Sequence, residues 1–242
     1  MRKLALIAST ALLVAAAASI ALASRGTAAP KRGVADALAK TTRVTALRYA
    51  VRVQIRKDGT PLTLRIRGGL DGRTIDVHLA TAGLTGAERL KGPFLYEEAP
   101  SGLVVYGRYR WLRTPVDRLP HDSEALTVLH ALTPAPLLRV IGAAHLRPVG
   151  DGSVYVGPVA YDDEAVRTGL TRLTGGMEFR GLRLTVRVHN DLVHSLVLTG
   201  RTADGSSQLR ITARLYAFGR PVHVTPPKPG TFMDDELPEL SE

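Results

Sequence analysis

The chain has 242 residues, no cysteine and a formal net charge of +10, from 32 lysines and arginines against 22 acidic residues. Without cysteine there is no disulfide, no thiolate metal site and no cysteine nucleophile. The basic excess fits anionic lipid or an envelope polymer, although a general preference for arginine and alanine gives the same balance; nucleic acid is disfavoured because no basic segment is interleaved with aromatics.

Arg2 and Lys3 head a run from Leu4 to Ala23 in which only Ser9, Thr10 and Ser19 carry hydroxyls. With Ala21 and Ala23 as an A-x-A cleavage pattern, the run reads as an export signal. It is also long enough to span a bilayer as a helix, so residues 1–29 are expected to be a signal peptide or a retained N-terminal membrane anchor. Either one places the remainder outside the cytoplasm, secreted or held at the cell envelope. Residues 30–225 are enough for one domain with a real core. From Pro226 the chain turns Pro-rich and then acidic, and residues 226–242 read as a disordered tail.

Val34, Ala35, Leu38 and Ala39 predict a short helix over 34–40. Leu47, Tyr49, Val51, Val53 and Ile55 then alternate with Arg48, Ala50, Arg52, Gln54 and Arg56, which gives a strand one apolar and one cationic face. After the turn residues Asp58, Gly59 and Pro61, the alternation of Leu62, Leu64 and Ile66 with Thr63, Arg65 and Arg67 predicts the hairpin partner. Ile75, Val77 and Leu79 continue the meander, while periodicity fixes no pairing in 80–104. A further strand is expected over Leu103 to Leu112, aromatic through Tyr106, Tyr109 and Trp111 and interrupted by Gly107.

The period then changes. Leu126, Leu129 and Leu132, then Leu137, Leu138 and Ile141, predict two helices within 122–144, separated by Pro134 and Pro136. Val154 to Tyr161 is extended, and Asp162 is placed to cap a helix carrying Val166, Leu170 and Leu173 on one face, ended by Gly175 and Gly176. Leu182, Leu184, Val186 and Val188 alternate up to the turn pair Asn190 and Asp191, Leu192 to Gly200 pairs back, and Leu209, Ile211, Ala213 and Leu215 close the meander. The fold class expected is α+β, mainly β.

This order of elements resembles the LolA-like fold, in particular the actinobacterial LppX/LprG-type lipoproteins, over roughly residues 34–225. The resemblance rests on Ala37-Leu38-Ala39-Lys40-Thr41 leading into the strand from Leu47, on Trp111 with Leu112, on Pro136-Leu137-Leu138, on Gly157 to Tyr161, and on Gly219-Arg220-Pro221-Val222. It implies a strongly curved antiparallel sheet, an incomplete barrel wrapped over a few short helices, with acyl chains of lipid or lipoglycan held between them. Carriage is implied, and neither catalysis nor a cofactor. The chain departs from the family at the lipobox, where Leu22, Ala23 and Ser24 are followed by Arg25 in place of the acylated cysteine.

On that resemblance the cavity lining falls to Leu47, Tyr49, Val51, Val53, Leu64, Ile66, Ile75 and Val77 on the first meander, Trp111, Leu137 and Ile141 in the middle, and Leu184, Val186, Leu209 and Ile211 on the last strands. The same residues make an ordinary packed core equally well. Arg48, Arg52, Arg56, Arg65, Arg67, Arg183, Arg187, Arg210 and Arg214 should share the opposite face, with Arg48, Arg52, Arg65, Arg67 and Arg187 as a candidate membrane surface, or they merely keep that face soluble. His189 and His194 flank a turn but lack an assured third ligand, so no metal site is assigned. Serines lack a nucleophile-elbow pattern, and no Gly-rich phosphate loop precedes a helix. The expected function is lipid binding or transfer without catalysis; the alternative is an anchored extracytoplasmic interaction or sensor domain that contacts another envelope protein and holds no ligand.

Overall fold

The structure is a computed structural model that describes residues 32–57, 59–103, 107–120, 123–160, 163–174 and 177–235. The expected signal or anchor, Asp162, and Gly175 with Gly176 lie outside the described residues. The fold is α+β and mainly β, built on one large curved sheet that does not close.

A short helix, α1 (Arg32–Thr42), leads into β1 (Ala46–Lys57), and a meander follows through β2 (Thr60–Asp71), β3 (Thr74–Thr81), β4 (Leu84–Lys91), β5 (Phe94–Glu98) and β6 (Trp111–Pro115). The chain then leaves the sheet for α2 (Glu124–Ala131) and α3 (Ala135–Gly142), returns through β7 (Arg147–Val149) and β8 (Val154–Pro158), and makes α4 (Glu164–Thr174). A last meander, β9 (Arg180–His189), β10 (Leu192–Arg201) and β11 (Ser207–Tyr216), precedes the short edge strand β12 (Phe232–Asp234). The sheet order is β12-β6-β5-β4-β3-β2-β1-β11-β10-β9-β8-β7, so the first and last meanders are stitched together where β1 pairs with β11.

Registers follow the apolar pattern, because a slip of one residue would turn every inward side chain to solvent. Val51 faces Ile66 on β2 and Ala213 on β11, and Val53 faces Leu64 and Ile211. The β9–β10 turn is the tight type that the sequence indicated, with Asn190 and Asp191 at φ 48° and 56°. One contiguous core joins Leu95 on β5 to Tyr155 on β8. Those strands stand eight ladder steps apart, roughly 38 Å at about 4.8 Å per step were the sheet flat. Among the described residues, four helices, none longer than 11 residues, bridge that span because the sheet curls around them. α1 packs on β10 and α3, and α4 packs on α3 and β1.

The structure differs from the sequence expectation at several places. The strand expected over Leu103 to Leu112 begins only at Trp111; Gly107 sits at φ 61° in a turn, and 104–106 lie outside the described residues. Residues 80–104, unreadable by periodicity, supply β4 and β5. At α4 the carboxylate that accepts a backbone hydrogen bond is Asp163, from the N–H of Val166 at 3.2 Å, so the cap stands one residue later than expected. Within the tail expected from Pro226, Phe232–Asp234 pairs parallel with Trp111–Arg113, and residues 236–242 lie outside the described residues.

Candidate functional site

The inner face of the sheet divides into a sealed part and an open part. In the sealed part, Leu47, Tyr49, Val51, Val53, Ile66, Ile75, Val77, Leu184, Val186, Leu209 and Ile211 are all buried, and Leu137 and Ile141 of α3 are buried in the same core. Val166, Leu170 and Leu173 share the buried face of α4, as their helical spacing requires. Most of the residues assigned as lining therefore meet their own helices.

Toward one end of the molecule that cover runs out. Antiparallel pairing gathers at this end the turns β1–β2, β3–β4 and β10–β11, together with the start of β9 and the exit from β5. Here the inward row continues through Leu62 opposite Ile55, Leu64 opposite Val53, and Leu84 opposite Thr81. Leu64 and Leu79 are only half-buried, Leu62 is 52% exposed and Leu84 42% exposed. Leu103, in the loop after β5 at the same end, is 53% exposed. An isolated exposed leucine is unremarkable, whereas several along one strand-paired wall make an apolar patch that water covers poorly. The alternation that runs unbroken to Leu62 is a signal for this wall, but periodicity does not say where the helices stop.

Beside the open wall the inner face carries acid. Glu88 on β4 stands directly opposite Glu97 on β5, and the same cross-strand row runs back through Val77 and Gly68 to Tyr49. Burial, helped by Glu97, pushes the Glu88 carboxyl up to about 8. Burial also raises Glu97, with Asp235 and then Glu124 of α2 adding repulsion. The Tyr49 ring lies across Gly68, where an added Cβ would stand 2.5 Å from its hydroxyl. That hydroxyl is buried without a hydrogen-bond partner among the described residues, and burial followed by the charges of Asp76 and Glu88 raises its pKa. At neutral pH Glu88 is largely uncharged, so this part of the wall carries polar groups without a full pair of negative charges.

The outer face bears the arginines. Arg48, Arg52, Arg65, Arg67 and Arg187 are exposed there, with Arg52 and Arg65 directly opposite one another. Trp111 is on this face too, which corrects its assignment to the lining. Its neighbours are Ala87, Tyr96, Phe94 and Phe232, and the Arg89 guanidinium stacks 4.7 Å from the ring centre. The reversal follows from register: Glu97 and Leu112 share the inner face, so Trp111, one residue earlier, points outward opposite Glu98. The segment after β11 crosses this face as a strap. Val222 packs on Gly69, its N–H donates to Asp71 at 3.1 Å, and Arg89 donates to the Thr225 carbonyl at 3.1 Å before Phe232 arrives beside Trp111.

At the open end, the outer face holds a groove of about 630 Å³ between β1, β11, β10 and β9. It forms where the β9–β10 ladder is irregular at Thr199 to Arg201 and where Gly181 takes φ 59°. Arg56, Arg180, Arg201 and Arg210 line it, with Gln54 and Gln208. His189 and His194 are in edge-to-face ring contact at 5.3 Å, and His194 also meets Phe218 at 5.1 Å. Among the described residues, no group of three or more histidine or carboxylate side chains is placed to hold a metal.

No family model matches the chain, and no curated protein matches it by sequence. Solved structures similar to it include LprF from Mycobacterium bovis, 12% identical over 81% of this chain and 95% of that one, with a TM-score of 0.42. A LolA superfamily protein from Nitrosomonas europaea is 11% identical over 78% of this chain and 93% of that one, with a TM-score of 0.29. A putative outer membrane lipoprotein-sorting protein domain from Vibrio parahaemolyticus is 7% identical over 80% and 94%, with a TM-score of 0.27. Likeness of this degree leaves function to rest on the chain's own geometry.

Proposed function

We infer that this chain is a non-catalytic, extracytoplasmic protein that binds or transfers lipid, holding acyl chains against the open end of its inner wall. The observation that carries the reading is the failure of coverage at the strand tips. Leu62, Leu64, Leu79 and Leu84 extend a wall that is sealed elsewhere, and about 25 cal/mol is released for each Å² of it that an acyl chain removes from water. Glu88 and Glu97, in the rows beside these leucines, give a polar headgroup something to meet at the edge of the apolar surface. The outer arginines face away from this wall and add attraction for an anionic envelope surface, not for the bound acyl chain. The N-terminal run supplies export or anchoring.

One observation favours the rival reading of an anchored interaction domain without ligand: apart from Leu64, the residues from Leu47 to Val77 and from Leu184 to Ile211 that were assigned as lining are buried in an ordinary core. Fluorescent fatty-acid binding, with mass spectrometry of lipid co-purified from a bacterial envelope host, separates the two. Saturable binding that falls at least about tenfold in Leu62→Asp/Leu84→Asp is expected, since each buried leucine is worth about 1.5–3 kcal/mol. No binding by the wild type and no co-purified lipid would leave only the interaction domain.

A further inference from the structure

The groove on the outer face and the open leucine wall lie at the same end of the molecule. Arg56 and Gln54 are at the β1 end of the β1–β2 turn, whose other limb carries Leu62 on the inner face. Arg201 faces both Arg180 on β9 and Gln208 on β11, and Gln208 faces Arg56, so one cross-strand row carries three of the four guanidinium groups. Arg210 stands in the next outward row, opposite Gln54.

Four like charges gathered in one concavity repel one another, and a fold tolerates this only while solvent or a counter-charge screens them. All four arginines are exposed, and none makes an ion pair with a described residue. Asp204, in the neighbouring turn, is held by Thr202 and Ser206, which keep its carboxylate down at about 2, and not by an arginine. Elsewhere the outer face is treated differently: Arg89 and Arg113 are neutralised by Asp76 and Asp234, and the strap covers Gly69 and Trp111. Guanidinium groups match phosphate oxygens in pairs, and a groove that holds several of them suits closely spaced phosphodiesters. Leucines exposed on the rim beside such a groove suit the apolar layer beneath those phosphates.

We propose that the strand-tip end of the molecule docks on an anionic phospholipid bilayer, with Arg56, Arg180, Arg201 and Arg210 on the headgroup phosphates and Leu62, Leu84 and Leu103 entering the acyl boundary. Docking in this orientation sets the open wall against the membrane, so this inference deepens the lipid-binding reading and rests on it for its purpose. The arginines assigned to membrane contact from the sequence are displaced from that role. Arg48, Arg67 and Arg187 lie toward the opposite ends of their strands, and Arg52 and Arg65 lie midway.

The test is co-sedimentation of the full chain with phosphatidylcholine vesicles and with phosphatidylcholine–phosphatidylglycerol vesicles. Two variants remove equal charge: Arg56→Gln/Arg180→Gln/Arg201→Gln/Arg210→Gln at the tips, and Arg48→Gln/Arg67→Gln/Arg187→Gln/Arg214→Gln at the far end. The N-terminal run is common to both, so the comparison between them is the readout. A basic residue at an anionic surface is worth about fivefold in affinity, and the tip variant is expected to lose more than a hundredfold on anionic vesicles while the far-end variant loses less than tenfold. Equal losses in the two variants, a greater loss in the far-end variant, or no loss in either overturns the proposal. Fatty-acid binding by the tip variant is expected to match wild type, because these side chains face away from the wall. Failure of the wild type to bind fatty acid counts against the lipid-binding reading alone and leaves the docking comparison legible.

Discussion

Glu88 offers a test of how the inner wall handles polarity. Its carboxyl rises from the ordinary 4.5 to about 8, chiefly through burial and secondly through Glu97 across the strand pair. Below pH 4.5 the folded and unfolded chains both hold the proton, so the residue costs nothing. Between 4.5 and 8 the unfolded chain releases it and the folded chain does not, which favours unfolding progressively as pH rises through this window. At about 1.4 kcal/mol per unit the full displacement corresponds to about 5 kcal/mol, and the side chain's partial contact with solvent brings the usable figure to about 2–3 kcal/mol. Glu88→Gln keeps the shape and removes the titration. In urea unfolding followed by circular dichroism at pH 5 and pH 8.5, the wild type is expected to lose about 2–3 kcal/mol more than the variant on going to the higher pH, about 0.6–0.9 kcal/mol per pH unit across the window. If the variant falls as steeply as the wild type, the carboxyl is not held neutral by this wall and the reasoning fails.

The division of the wall into sealed and open parts is testable by truncation. Leu198→Ala, at a fully buried position, is expected to cost about 2–5 kcal/mol, whereas Leu62→Ala should stay within about 0.5 kcal/mol; similar costs at both sites in urea titrations would show that the tip is packed after all. Gly68→Ala places a methyl group 2.5 Å from both the Tyr49 hydroxyl and the Asp76 carbonyl, and a loss of about 2 kcal/mol or more is expected, visible as a lowered Tm. An unchanged Tm would mean that the ring does not lie across β2.

Much of the architecture was legible because strand pairing and apolar alternation are the same fact seen twice. The period of two from Leu47 to Ile55 dictated which face β1 buries, and Asn190 with Asp191 dictated the turn that sets the β9–β10 register. The alternation of Arg48, Arg52, Arg65, Arg67 and Arg187 likewise placed them on the outer face. Only local spacing is needed for such statements. β4 and β5 escaped notice because one of their rows mixes Glu88 and Glu97 with apolar neighbours, which destroys the alternation that identifies a half-buried strand.

Tertiary structure alone decided which face Trp111 serves, since its outward position depends on β6 pairing with β5 and on a strap that returns from residues more than a hundred positions later. It also decided where the cover ends. Helix length is written in the sequence, but how far four short helices reach across a curled sheet depends on the curvature of the whole, and so does the meeting of distant arginines in one groove. The sequence by itself determined a basic, cysteine-free, mainly β chain with one greasy face and one cationic face. Folding determined which part of the greasy face stays uncovered, because coverage is a property of packed surfaces and not of any local period.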